Sequence, residues 1–343
     1  MTDPAATGPT VDELAGALDE LARREDFSGV VRIERAGTVE VDAAYGWAHR
    51  GWRIANTPET RFALASGNKG FTALAVMSLV EDGTLSLTTT ARSILGDDLP
   101  LIDDRVTVEH LLGHRSGIGD YLDESAGHDI DDYAMPVPVH QLVTTEDFLV
   151  ALDGYPTSFP PDDRFAYNNG GYMVLALLAE RASGISYHDL VEERVCRPAA
   201  MRETAFLRSD ELPGGVALGY LGVEGVSRTN VFHLPVRGNG DGGIYSTTAD
   251  MSSFWSALFA GRIVAKDTVA KMTRPRSDYP EEDRRYGLGF WMFDAGDAVF
   301  LEGYDAGVSF RTVHDPSSAL TWTVISNTSE GAWPICVLLK EIL

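Results

Sequence analysis

Lysine is scarce in this sequence: only Lys69, Lys266, Lys271 and Lys340 occur among 28 basic residues in a chain of 343. Acidic residues number 51, so the formal charge is 28 − 51 = −23. Nucleic acids and anionic membrane surfaces are bound by neutralising phosphate with Lys and Arg, so neither is expected as a partner. Cysteine is equally sparse. Cys196 and Cys336 do not stand in any pair with metal-ligand spacing, cannot supply a disulfide framework, and read as small buried hydrophobes. No apolar run approaches the roughly 18–20 residues that span a bilayer. The first basic residue is Arg23, while Asp3, Asp12, Glu13, Asp19 and Glu20 crowd the start. That is the reverse of a secretory leader, and a cytoplasmic protein is expected.

What is present is a globular composition, 44% hydrophobic and without internal repeats. Thr10 and Glu13 have capping-box spacing, and Val11, Leu14, Leu18 and Leu21 recur at helical intervals up to Arg23-Arg24. Residues 30–35 and 39–42 alternate across Ala36-Gly37, which predicts a hairpin. Three more strands are predicted at 298–301, 308–313 and 320–325, followed by a helix from Trp333 to Leu343. Between the two ends lie helical stretches at 67–82, 108–112, 171–182 and 251–259. The expected fold is α+β: one antiparallel sheet built from both chain ends and flanked by helices, with a mainly helical insertion. A single domain is expected, with a sheet lobe of about 1–66 plus 240–343 and a helical lobe of about 67–239. Residues 120–143, with five aspartates and Pro136 and Pro138, read as a long surface loop.

Two short patterns carry chemistry. Ser66 precedes an apolar helical run, and Lys69 lies three residues on, so hydroxyl and amine share a face. Serine is a poor nucleophile until a neighbour takes its proton, and a desolvated lysine can do so. The helix N-terminus adds N–H groups where an oxyanion would form. The plainer reading is a helix-capping serine beside a solvated lysine; with 22 serines and 4 lysines, chance supplies about 0.26 such pairs. The second pattern is Tyr167-Asn168-Asn169, in which a phenol can relay a proton and an amide can hold both an ammonium and a substrate carbonyl. Its plainer reading is a turn with Asn169 as helix N-cap. Each pattern occurs once in the chain, and their joint occurrence in this order is far rarer than either alone.

With these in place, the sequence resembles the serine β-lactamase and penicillin-binding-protein superfamily, in particular its class C, DD-peptidase and esterase branch. Val106-Thr107-Val108-Glu109-His110-Leu111-Leu112-Gly113-His114-Arg115-Ser116-Gly117-Ile118 looks like that family's "hLLxHxSGh" signature. Phe165 to Tyr172 is similar to its "F-x-Y-S-N-x-G-Y" segment, and Gly242 to Met251 to its "GGhxSTxxDh" stretch. Gly83-Thr84-Leu85-Ser86-Leu87 follows the nucleophile helix in the family's manner, and the landmarks run from about residue 28 to 327. The resemblance implies a β-lactamase/transpeptidase-like fold in which Ser66 is acylated, Lys69 helps deprotonate it, Tyr167 shuttles protons and Asn169 orients the site. It also implies an oxyanion hole from the N–H groups of Ser66 and Tyr304, with Gly303 permitting close backbone approach. The family's third element, a Lys or His followed two residues later by Gly, aligns with Leu301-Glu302-Gly303, where only the glycine is kept.

That departure points away from substrates with a carboxylate next to the scissile bond, because Leu301 is apolar and Glu302 would repel one. Glu302 is a candidate for substrate recognition or orientation, or for a catalytic role, its plainer reading being a solvated edge-strand side chain. The expectation is therefore a serine hydrolase acting on a small ester or amide. β-Lactam or D-amino-acid peptide hydrolysis is the alternative within the class, and a catalytically silent binding protein the alternative outside it. No metal or organic cofactor is expected, and the partner is a small-molecule substrate. His110 and His114 lack a third ligand, Gly113 to Gly117 carries its serine one position too late for a nucleophile elbow, Gly238 to Gly243 reads as a loop beside the pocket, and the aspartates of 120–143 read as solvated. Nothing in the sequence fixes the oligomeric state.

Overall fold

The structure, a computed structural model, describes residues 10–123, 127, 129–222 and 228–343. Of the 120–143 loop, residues 124–126 and 128 lie outside it. The chain enters through helix α1 (Val11–Arg24), whose Thr10 Oγ1 accepts the Glu13 N–H at 3.3 Å while Glu13 returns a carboxylate to the Thr10 N–H at 2.8 Å. This is the reciprocal cap its spacing predicts. Strands β1 (Gly29–Arg35) and β2 (Thr38–Tyr45) form the predicted hairpin, its turn made by Ala36 and Gly37, both with positive φ.

The apolar run after Ser66 is helix α2 (Lys69–Glu81), buried from Lys69 through Leu79. A helix that is hydrophobic on every side has to be enclosed by others. It packs against α4 (Asn169–Ser183), with the short α3 (Val108–Leu112) also against α4, and α5 (Thr248–Phe259) covers strand ends. Near the C-terminus come β3 (Ser277–Tyr279), β4 (Arg284–Tyr286), β5 (Trp291–Phe293), β6 (Val299–Asp305), β7 (Val308–Asp315) and β8 (Leu320–Ser326), then helix α6 (Ala332–Ile342).

These eight strands make one antiparallel sheet in the order β2-β1-β8-β7-β6-β5-β4-β3. The two chain ends meet where β1 pairs with β8, Gly29 opposite Ser326 and Arg35 opposite Leu320. β8 is buried along its whole length because both sheet faces are covered. One face carries α1 and α6 over Leu14, Leu18, Val31, Ile33, Trp322, Ile335 and Leu339. The other carries α2, α4 and α5 over Leu74, Leu178, Trp255, Leu301 and Phe310. The mixed fold with its large antiparallel sheet is the one expected. The three short strands β3 to β5 were not predicted, and they place β6 in the interior of the sheet instead of at an edge.

Candidate active site

Ser66 lies in a turn of 3-10 helix, Ala65–Asn68, that leads straight into α2. Ala65 holds the left-handed conformation at φ 45°, an unfavourable one for a residue with a Cβ. Its strain sets Ser66 at the mouth of the helix, half-buried, between two clefts that both include Ser66 and Tyr304. One cleft includes Tyr121, Tyr133, Asn169, Asp241 and Asp305. The other includes Tyr167, Arg284, Trp291, Glu302 and Trp333.

Lys69 is 3% exposed and its Nζ donates to Ser66 Oγ (2.8 Å), Asn169 Oδ1 (2.7 Å) and the main-chain oxygen of Asp241 (2.9 Å). It is not the solvated lysine of the plainer reading. The same nitrogen stands 4.9 Å from the centroid of the Tyr167 ring. That ring lies between the His114 imidazole, centroids 4.4 Å apart, and the Trp291 indole at 6.0 Å. His114 is itself buried, and its Nδ1 accepts the Asn168 N–H at 3.0 Å. Burial first, and the Lys69 charge second, hold its imidazole well below the usual range, so it stays neutral.

Asn169 opens α4 as its first residue, whereas the helix cap is Asn168, whose Oδ1 takes the Gly171 N–H at 2.6 Å. The side chain of Asn169 is thereby released to reach Lys69. Its own N–H and that of Gly170 are taken by Asp120, at 2.6 and 2.8 Å. Tyr121 donates its phenol to the Asp241 carboxylate. Burial raises the carboxyl of Asp241, with Lys69 opposing, and raises the Tyr121 phenol, which the Asp241 charge raises further. Asp120 and Tyr121 are thus inside the site, not part of a solvated loop.

At Gly303 strand β6 passes against the 65–68 turn: a Cβ there would fall 2.0 Å from the Leu64 carbonyl oxygen and 2.9 Å from the Gly67 nitrogen. Only glycine allows this approach. Side chains alternate along β6, so its neighbours diverge. Leu301 is 2% exposed and packs on Gly70, where a Cβ would come 2.6 Å from Leu301 Cδ2. Glu302 faces the second cleft, and Tyr304 donates its phenol outward to Glu330.

Glu302 corrects the sequence reading. It is neither at an edge nor solvated: Arg284 donates to it at 2.8 Å and Arg311 Nε at 2.7 Å, and Arg284 pairs also with Glu282. Burial alone would raise its carboxyl, but the two guanidinium groups outweigh that and hold it below the usual range. Its charge is neutralised locally, so repulsion of a substrate carboxylate by Glu302 is much weaker than its sequence position suggests.

The structure brings Ser66, Lys69, Tyr167 and Asn169, the four residues of the two sequence patterns, to one place. Those patterns missed His114, Asp120, Tyr121 and Asp241 as parts of the same assembly. His114 belongs to the "hLLxHxSGh" stretch and Asp241 to the glycine-rich loop, so both stood within segments already marked; Asp120 and Tyr121 carried no signal beyond closeness to the first of these. Among the described residues no group of His, Cys, Asp and Glu is arranged to hold a metal ion, and no helix is long and apolar enough to cross a membrane.

Comparison with known proteins agrees with this fold. A penicillin binding protein from Bacillus halodurans superimposes with a TM-score of 0.89 at 36% identity, over 95% of this chain and 100% of that one. The octameric penicillin-binding protein homologue from Pyrococcus abyssi gives 0.81 at 27%, over 96% and 77%. In sequence, penicillin-binding protein 4* of Bacillus subtilis (strain 168) is 28% identical over 330 residues, 91% of this chain and 71% of that protein. D-aminopeptidase of Brucella canis is 28% identical over 293 residues, 84% of this chain, which spans only 53% of that enzyme. The family model described as Beta-lactamase matches residues 14–339, nearly the full length. The chain belongs to the beta-lactamase family, within the serine β-lactamase and penicillin-binding-protein superfamily.

Proposed function

We propose that the protein is a serine hydrolase that works through an acyl-enzyme on a small ester or amide. The observation that carries the reading is the enclosed Lys69 Nζ, 2.8 Å from Ser66 Oγ with its other donors committed to Asn169 and Asp241. A lysine held so close to a hydroxyl, out of water, is placed to move the hydroxyl proton as attack begins. As Ser66 Oγ attacks the carbonyl, Lys69, reacting as the neutral amine, takes the hydroxyl proton and returns it through the Tyr167 phenol to the leaving group as its bond to the acyl carbon breaks. The N–H groups of Ser66 and Tyr304 hold the oxyanion, a role supported by the close approach of β6 to the 65–68 turn at Gly303. Water then releases the acid by the reverse proton path, with Asn169 keeping Lys69 in register. The chemistry needs no metal or organic cofactor.

Arg284, the one arginine among the described residues of the two clefts, is paired with Glu282 and Glu302, and Leu301 stands where the family carries a cation. This favours substrates without a carboxylate beside the scissile bond. A second reading, hydrolysis of D-amino-acid amides or peptides, is favoured by Asp241 and Asp305 in the first cleft, which suit a free amine, and by the likeness to D-aminopeptidase.

Intact-mass spectrometry after exposure to a fluorophosphonate tests the enzyme reading. One adduct on the wild type and none on Ser66→Ala is expected; no adduct, or one that survives Ser66→Ala, favours the silent binding protein. Turnover of short-chain p-nitrophenyl esters against D-amino-acid p-nitroanilides and a chromogenic lactam then selects among substrates. A cytoplasmic location is part of the same proposal.

A further inference from the structure

Among the described residues, Lys69 also donates to Asn169 Oδ1 and the Asp241 main-chain oxygen, and both acceptors are held from the same short segment, residues 120–122. On one side, Asp120 Oδ2 accepts the Asn169 N–H at 2.6 Å and its Oδ1 the Gly170 N–H at 2.8 Å, while the Leu122 carbonyl accepts from Asn169 Nδ2 at 3.0 Å. Asn169 is therefore gripped at both its main chain and its amide, leaving Oδ1 aimed at Lys69. On the other side, the Tyr121 phenol donates to the carboxylate of Asp241, whose main-chain oxygen is the third Lys69 acceptor. The carboxylate of Asp120 is oriented in turn by the Leu122 N–H at 3.2 Å.

We propose that Asp120 and Tyr121 are positioning residues of this site, a clamp that fixes the two groups which hold the Lys69 ammonium on Ser66. The inference rests on the hydrolase reading for its kinetic consequence but not for its geometry. A carboxylate at the start of α4 satisfies two N–H groups that the helix leaves unbonded, and it does so from another element. Loss of that acceptor frees the first turn of α4 and with it the Asn169 amide. A misplacement of about 1 Å at such a group costs on the order of 10²-fold in rate.

The clamp also predicts a pH dependence. Burial pushes the Asp120 carboxyl up to about 7, against the three N–H groups that favour its charged form and with the Asp241 carboxylate adding to the rise. Above that pH the carboxylate accepts from both helix N–H groups; below it the added proton displaces one. The other ionisable groups facing this centre are Asp241 in the glycine-rich loop, Lys69 on α2, and Tyr121 and Tyr133 on the clamp's own loop. Rate should therefore rise with pH through about 7 and level off.

The test compares wild type with Asp120→Asn, which keeps the volume but titrates no longer, and Tyr121→Phe, which removes one hydroxyl and no helix cap. Three readouts are taken: kcat and KM on the ester or amide turned over, the rate of fluorophosphonate labelling, and crystal structures of both variants. Expected are a fall of at least tenfold in kcat and in labelling rate for each variant, KM within about threefold, and loss of the rise near pH 7 in Asp120→Asn. The structures should show the Asn169 or Asp241 contact to Lys69 lengthened beyond hydrogen-bond distance. Folded variants with wild-type kcat, or with both contacts intact, would overturn the clamp. A wild type that takes no adduct sinks the hydrolase reading instead, and the structures alone then decide the clamp.

Discussion

Lys69 concentrates the argument at the scale of single residues. Its amino group is enclosed, and Ser66 Oγ, Asn169 Oδ1 and the Asp241 main-chain oxygen that accept from it all belong to the site, so under the proposed function a change there acts on catalysis and on burial together. Lys69→Met keeps the aliphatic length but leaves Asn169 Oδ1 and the Asp241 carbonyl without their donor. Activity and labelling rate should fall about 10²- to 10⁴-fold, the usual worth of a positioned proton acceptor. A loss below tenfold, measured on folded protein by stopped-flow labelling, would contradict its role. Glu302 is the contrasting case, a charge that works by neutralisation. Glu302→Ala leaves Arg311 and one arm of Arg284 uncompensated beneath the second cleft and should cost roughly 3–5 kcal/mol in urea unfolding. The four residues read from the sequence were legible because Ser66-x-x-Lys69 and Tyr167-x-Asn169 are local spacings. Asp120 and Asp241 meet Asn169 and Lys69 across 49 and 172 positions, and no local pattern encodes such a meeting.

Among elements, the decisive contact is between strand β6 and the 65–68 turn. The turn's register depends on Ala65 at φ 45°, and the strand comes within reach of it only because position 303 lacks a side chain. In Gly303→Ala the new methyl would meet main-chain atoms of Leu64 and Gly67, which cannot swing aside as a side chain could. The strand or the turn must move, separating the Tyr304 and Ser66 N–H groups. A fall of about 10²-fold or more in kcat is expected, with a smaller loss of thermal stability, measured by esterase or amidase kinetics beside differential scanning calorimetry. Most long elements were legible from period and caps: α1, the β1–β2 hairpin, β6 to β8 and α6 agree with the sequence pattern. Strands β3, β4 and β5 hold three residues each, too few for a period of two to declare itself, and they exist because β6 offers them an edge to pair with. That is why Glu302 reads as an edge residue in sequence and is interior in the fold.

Across the whole molecule, net charge and the burial of His188 pull stability in opposite directions as pH falls. The −23 charge repels itself at pH 7 and declines toward the isoelectric point near 4.6, which favours the compact state on acidification, most strongly at low salt. Asp120, pushed up to about 7 by burial, acts in the same sense: it binds its proton more readily when folded, so its contribution is present at low pH and lost as pH rises through about 7. His188 acts oppositely. It is 8% exposed, packed against Phe206 and within 2.9 Å of the Gly238 carbonyl at the start of the loop that carries Asp241. Burial, only partly offset by that carbonyl, takes its imidazole down to about 4 from an ordinary value of 6.5. The unfolded chain therefore takes up a proton that the folded one refuses. The stabilisation is full above about 6.5 and is lost as pH falls toward 4, and it amounts to roughly 2–3 kcal/mol between pH 7 and 4.5. Urea unfolding of wild type and His188→Gln at those two pH values, in about 0.5 M salt to screen the net charge, isolates this term. The variant should lose less stability than wild type on acidification, by about that amount. Equal losses in the two proteins would mean that His188 is hydrated in the native state and that the loop it supports is looser than its packing shows.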